Sequence, residues 1–378
     1  MSEPKRLIDL VQPHLRAAPP YVAVQPPETL AQRLGIPVEQ VIKLDANENA
    51  YGPSPKVIEA LASYRGYHIY PDPEQRRLRA ALAAYAGCEP RQLIAGAGSD
   101  ELIELAIRLF VPSGEAVLNF PPTFGMYTFL ADTLGERAIN VTRRPNHSLD
   151  LDAALEAAKG ARLIFAVSPN NPTGTALTRT ELDALLSTGL PVVVDEAYAE
   201  FAGESYVGLV GKTPNLLVIR TLSKWAGLAG LRIGYLIADP DVIDLAMRVR
   251  QPYSVNVAAE VATLASLEDL PLLQQRIDAI VGERARLQTL LAALPGFEVT
   301  PSCANFVLCR LQGIEARDVH AQLTQRGIMV RYFDTPLLQN HLRISVGRPE
   351  QTDALMAALR DVVVPKAMGS RTEASRAK

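Results

Sequence analysis

Seven short apolar runs, several of them apolar at every position, set the tightest limit on how this 378-residue chain can fold. They span residues 93–95, 116–120, 138–141, 163–167, 192–194, 216–220 and 233–237, and alternate with longer amphipathic or turn-bounded stretches. A helix-covered parallel strand hides both faces, so its apolar side chains occupy consecutive positions and not alternate ones. LIFAV and VVV have that character. The alternation predicts an α/β fold built on a mostly parallel, seven-stranded sheet. Helices are expected over 99–110, 150–158 and 178–186, the last two opening at Asp150 and Thr178, which suit an N-cap.

After Pro240 the texture changes to longer helical runs at 258–267 and 273–294. FEVT, NFVLCR, GIMVRY and LRISV then read as strands around a helix at 316–326, which predicts a small α+β domain. The expected division is an arm at 1–45 that joins the small domain, a large domain at 46–255, the small domain at 256–364 and a disordered polar tail at 365–378. The arm is interrupted by Pro13, Pro19, Pro20, Pro26 and Pro27. With 38 Lys+Arg against 41 Asp+Glu and no basic block, a nucleic-acid footprint is not supported. No apolar run reaches the roughly 18 residues that a membrane span needs, and the charged N-terminus lacks a secretory pattern. Three cysteines without a CxxC pair fit a reducing cytoplasm, and five histidines without paired spacing leave no expected metal site.

In an open parallel sheet, ligands bind beyond the carboxyl ends of the strands. Here those ends carry Ser99-Asp100-Glu101, Ser168-Pro169-Asn170-Asn171, Asp195-Glu196-Ala197-Tyr198 and Thr221-Leu222-Ser223-Lys224. The turn Gly96-Ala97-Gly98-Ser99 is either a tight turn or a place where bare N–H groups meet a phosphate. It matches neither of the glycine-rich fingerprints of dinucleotides and nucleoside triphosphates. Lys224 is either solvated or an amine held for condensation with an aldehyde, with Arg232 and Ser223 anchoring a phosphate nearby. Asp195, at the end of three valines, is either a helix cap or a carboxylate facing a pyridinium nitrogen. Tyr198 and Asn171 then offer donors to a phenolate oxygen. One cofactor, pyridoxal 5'-phosphate, satisfies all of these groups.

SPNNPTG, DEAY and TLSKWAGLAGLRIGY, in that order and followed by Arg343 in LRISVG, resemble the fold-type I pyridoxal-phosphate aminotransferases over residues 44–348. The resemblance implies a large cofactor domain, a small domain made from both chain ends, and a homodimer with shared sites. It also implies small-molecule amine and 2-oxo acid substrates. By resemblance, Lys224 is the lysine that bonds the cofactor and shuttles the proton, Asp195 the pyridinium partner, and Asn171 and Tyr198 the donors to the phenolic oxygen. Ala97, Gly98, Ser99, Ser223 and Arg232 fall where the family binds phosphate. Phe124 falls where an aromatic ring stacks on the cofactor, and Tyr70 where a residue reaches the partner subunit's cofactor. Arg343 resembles the arginine that grips the substrate's carboxylate or the group in its place.

Within that family, LDANENAYGPSP and GIMVRYF resemble the branch that acts on histidinol phosphate, although Ala50 stands where that branch usually has proline. Such a substrate carries a phosphate and an imidazole, for which Arg331, Arg343, Tyr21 and Asn47 are the candidate ligands. Arg331 is equally read as a surface strand residue and Tyr21 as an interface aromatic. The competing readings are an aromatic amino acid aminotransferase, a phosphothreonine decarboxylase, and a non-catalytic module that keeps the fold.

Overall fold

The structure is a computed structural model that describes residues 6–18, 20–21 and 23–374. The expectations for residues 1–5, Pro19 and 375–378 lie outside the described residues. Two sheets organise the chain. The larger has seven strands: β2 (Leu93–Gly96), β3 (Ala116–Asn119), β4 (Arg137–Asn140), β5 (Leu163–Val167), β6 (Val192–Asp195), β7 (Leu216–Thr221) and β8 (Gly234–Ile237). Their order is β2-β8-β7-β6-β5-β3-β4. All pairings are parallel except those of β8, which runs antiparallel to β2 and β7.

Alternate residues of each strand enter different cores, as the pleat requires. Ile164, Ala166, Val192 and Val194 pack with the helices Arg76–Ala86, Leu151–Ala158 and Arg179–Leu186. Phe165, Val167 and Val193 pack on the other face with Ser99–Phe110, Met126–Leu134 and Pro240–Val249. Helix starts follow local chemistry. Thr178 accepts from the Glu181 N–H, while the Glu181 carboxylate accepts from the Thr178 N–H at 2.8 Å. This reciprocal cap is worth about 1 kcal/mol.

The second sheet has the order β1-β11-β12-β10-β9, formed by β1 (Ile42–Leu44), β9 (Phe297–Val299), β10 (Phe306–Leu311), β11 (Ile328–Tyr332) and β12 (His341–Ser345). β1 runs parallel to β11, so a strand from the start of the chain completes a sheet made from its end. The arm is divided, however. Its early part lies against the large sheet's helix Met126–Leu134, where the Tyr21 ring meets Phe129 edge-on at 5.7 Å. Helix Val257–Leu267, placed by composition at the start of the second unit, packs instead on Pro55–Ser63 and Arg76–Ala86. Its buried Ala259, Ala262, Thr263 and Ser266 are small enough for that close approach. The final helix spans Pro349–Ala374, a range that includes part of the tail expected at 365–378.

Gly227 fixes how the segment after β7 meets the segment before helix Pro55–Ser63. Its φ is +71°, and a Cβ there would lie 2.6 Å from the carbonyl carbon and oxygen of Gly52. Gly227→Ala is expected to destabilise the cofactor-free protein by about 2 kcal/mol or more, from left-handed strain plus the backbone clash. A lower thermal midpoint by circular dichroism checks it.

Candidate active site

β5, β6 and β7 are parallel neighbours, so the segments after them open side by side at one edge of the sheet. Lys224 projects from the last of these, and its Nζ donates to the Ala46 carbonyl at 3.1 Å. Burial, reinforced by the Arg343 guanidinium, brings its amine down to about 8. A considerable fraction of the group is therefore neutral, and nucleophilic, near physiological pH. Asp195 closes β6 and is 3% exposed. One carboxylate oxygen accepts from the Ala197 N–H at 3.0 Å and the other from the Tyr127 hydroxyl at 2.7 Å. Burial pushes its carboxyl up to about 6, against the pull of those two hydrogen bonds.

Among the described residues, Asn171 and Tyr198 are held with their donors free. Arg343 Nη1 donates to Asn171 Oδ1 at 2.6 Å, which leaves the Asn171 NH2 to donate elsewhere. Asn47 Nδ2 donates to the Tyr198 hydroxyl oxygen at 3.0 Å, which leaves that O–H free. Asn47 is itself fixed in a left-handed conformation, φ 55°, by Ser345 Oγ and by Asn305 Nδ2, which donates to its carbonyl at 2.9 Å. Arg343 also donates to the Asp45 carbonyl, and its guanidinium lies over the Phe306 ring at 5.4 Å. Its Nε is buried and has no hydrogen-bond partner among the described residues.

The phosphate end fits an anion. Gly98, φ +82°, precedes helix Ser99–Phe110, and the Arg232 guanidinium lies so near that a Cβ at Gly98 would come within 2.5 Å of Nη2. A Cβ at Gly234 would stand 2.8 Å from the Ser99 nitrogen, so β8 also crowds this turn. Ser223 Oγ is buried 2.9 Å from Thr221 Oγ1. The Ala97 and Gly98 N–H groups are engaged by the Glu101 carboxylate and the Gly96 carbonyl. The open donors of the turn thus begin at Ser99, in the first helical turn, where N–H groups lack intrahelical acceptors. Asp100 pairs with Arg232 at 2.8 Å. With a buried carboxylate, an activated amine, two aimed donors and this cradle, the residues fit pyridoxal phosphate.

Arg331 stands directly across from Arg343 in the β11–β12 register, and both guanidinium groups lie over the Phe333 ring, at 5.5 and 5.7 Å. Tyr21 is half exposed. Burial raises its phenol, while Arg331 and Arg343 pull it down, so it shares their field. Arg331 and Asp45 also line a cavity of about 650 Å³ between residues 23–34 and helix Ala316–Gln325. Phe124 sits edge-on to Tyr127 at 5.8 Å. Tyr70 faces outward, 79% exposed, and stacks on Tyr253 at 4.7 Å. Sequence reading missed Tyr127, Phe333, Asn305 and Ser345. None of the four lies in a motif at a strand end that would have singled it out.

The family model for aminotransferase class I and II matches residues 39–359. A histidinol-phosphate aminotransferase from Roseiflexus castenholzii is 51% identical over 369 residues, covering 95% of this chain and 100% of that one. A chloroplastic histidinol-phosphate aminotransferase from Nicotiana tabacum is 44% identical over 93% of this chain and 86% of its own length. Among solved structures, the histidinol-phosphate aminotransferase from Sinorhizobium meliloti in complex with pyridoxal 5'-phosphate superposes with a TM-score of 0.84. It is 28% identical and covers 93% of this chain and 97% of its own.

The depressed amine of Lys224 is directly measurable. Its reaction with an aldehyde probe, followed against pH, is expected to show a midpoint near 8, where an ordinary lysine gives about 10.4. Arg343→Gln removes a neighbouring positive charge and moves that midpoint upward.

Proposed function

We propose that this chain, which belongs to the class I and II aminotransferases, transfers the amino group of L-histidinol phosphate to 2-oxoglutarate, giving imidazole acetol phosphate and glutamate in histidine biosynthesis. The observation that carries this reading is the union of Lys224 with the Arg343–Arg331 pair in a crevice that also gathers Asp195, Asn171 and Tyr198. The extent of likeness to histidinol-phosphate aminotransferases favours it over an aromatic amino acid aminotransferase or a phosphothreonine decarboxylase. A non-catalytic module would have no use for an activated amine amid a complete set of partners.

Pyridoxal 5'-phosphate, when bound, supplies an aldehyde that condenses with amines and a protonated ring that withdraws electrons from the substrate's Cα. Asp195, as a carboxylate, would face the ring nitrogen and favour its protonated form. Asn171 and Tyr198 donate to the phenolic oxygen from the side where Arg343 and Asn47 leave their hydrogens free. Ser99, Ser223 and Arg232 bind the phosphate, and Phe124 covers the ring. Lys224 Nζ would take up and return the proton at the substrate's Cα, a service worth about 10²- to 10⁴-fold in rate. Arg343, Arg331, Tyr21 and Asn47 bind the substrate phosphate and imidazole, and two adjacent guanidinium groups suit a dianion better than a single carboxylate.

The same reading makes the chain a homodimer in which the exposed Tyr70 reaches the partner subunit's cofactor phosphate. It also keeps a cofactor domain at 46–255 and a small domain at 256–364 as the division of the chain, with helix Val257–Leu267 packed on helices of the cofactor domain. Three free cysteines, Cys88, Cys303 and Cys309, suit a cytoplasmic location. Among the described residues no helix is long and apolar enough to cross a membrane.

Absorption spectroscopy with histidinol phosphate and no acceptor tests the assignment. The aldehyde band of the cofactor-loaded protein should disappear and return on adding 2-oxoglutarate, and Lys224→Ala should slow this by about 10²- to 10⁴-fold. A band untouched by histidinol phosphate but bleached by phenylalanine would move the activity to aromatic amino acids.

A further inference from the structure

Tyr127 is a fully buried tyrosine to which neither the sequence motifs nor the reaction above assigns a task. It lies in the first turn of helix Met126–Leu134 and its ring stacks on Phe165 of β5 at 4.8 Å, with 16° between the planes. Phe165 pairs with Val193 of β6, and Asp195 lies two residues further along the same strand and on the same face. The stack therefore aims the phenol down the groove between two strands, and its oxygen ends 2.7 Å from Asp195 Oδ2. Phe124, which covers the cofactor ring in the reading above, also meets Tyr127 edge-on, at 5.8 Å.

We propose that Tyr127 is a positioning residue that acts through Asp195: by donating its O–H to Oδ2 it keeps the buried carboxylate ionised and turned toward the ring nitrogen of the cofactor. This rests on the pyridoxal-phosphate reading above. A carboxylate removed from water needs donors to stay charged, and the Ala197 N–H supplies only one. The other titratable groups that face Asp195 are Asp100, which opposes its charge, Lys224, which favours it, and Tyr198. Tyr127 is the neutral donor in this set, and it is locked by two aromatic contacts. The carboxylate thus takes a hydrogen bond from behind without a counter-charge that would compete with the ring nitrogen for it.

The test is a double-mutant cycle on the cofactor-loaded protein with wild type, Tyr127→Phe, Asp195→Asn and the double variant. Tyr127→Phe keeps the ring on Phe165 and deletes only the hydroxyl. Two quantities are read: the dissociation constant for pyridoxal phosphate, by fluorescence reconstitution of the cofactor-free protein, and the pH dependence of kcat. Tyr127→Phe is expected to lower kcat about ten- to a hundredfold, the range for a hydrogen bond to a charged group, with little change in KM. Losing the donor raises the proton affinity of Asp195, so the acidic limb of the profile moves to higher pH and the cofactor binds more weakly. In the Asp195→Asn background the same change should have almost no effect on either quantity. An equal loss in both backgrounds would make Tyr127 a packing residue and overturn the proposal, as would an unchanged acidic limb. Failure of the wild type itself to bind the cofactor or to convert histidinol phosphate strikes the functional reading instead, and is seen before any variant is made.

Discussion

A carboxylate at the end of a strand of three valines is the interaction around which this molecule is arranged. Asp195 is almost wholly removed from solvent, and an unpaired charge in that position is too costly to persist. Tyr127 and the Ala197 N–H meet it from the protein side, and Lys224 and the crevice lie on the other. The next residue, Glu196, points to the opposite face of the sheet, where it joins Arg220 and Glu200 in a separate buried cluster. Burial drives the Glu196 carboxyl up to about 7 despite the neighbouring guanidinium. Two successive acids thus serve two unrelated environments because a strand alternates its faces.

The same economy of charge runs through the rest of the crevice. Lys224, Arg343, Arg331 and Arg232 bring four cationic side chains together, with the acids Asp45, Glu48, Asp100 and Asp195 spread around them. Burial and mutual repulsion lower both the Lys224 amine and the Arg343 guanidinium, the latter to about 10. Such a concentration of like charge is unfavourable in the protein alone and becomes favourable when anions enter it. A cofactor phosphate at one end and a substrate phosphate at the other would each relieve part of the repulsion, so affinity and specificity draw on one electrostatic source.

All seven apolar runs of the large sheet appear as strands, and in six of them burial on both faces writes itself into consecutive positions; the edge strand β4 is only partly buried. Direction is not written there, and nothing in residues 233–237 distinguishes the antiparallel β8 from its parallel neighbours. Lys224, Asp195, Asn171 and Tyr198 were legible because strand ends and their turn residues fall within short motifs. Tyr127, Phe333, Asn305 and Ser345 were not, since what places them is packing between segments distant in the chain. The arm shows the same limit. Its prolines announce an irregular path, but only the Tyr21–Phe129 contact reveals that part of it leaves the small sheet for a helix of the large one.

Residues 45–47 lie at the centre of the crevice, and their partners come from the far end of the chain. The Asp45 carbonyl accepts from Arg343 and the Asn47 N–H donates to Ser345 Oγ, contacts separated by 298 residues. Closing a loop of 298 residues is a slow and late event, because its entropic cost must be met before the contact returns anything. During synthesis the large sheet has all seven of its strands by residue 237, more than a hundred residues before β12 is made. The nascent chain therefore carries the lysine, the carboxylate and the phosphate cradle well before it has the floor on which a substrate can rest. Competence arrives only once β12 has been made.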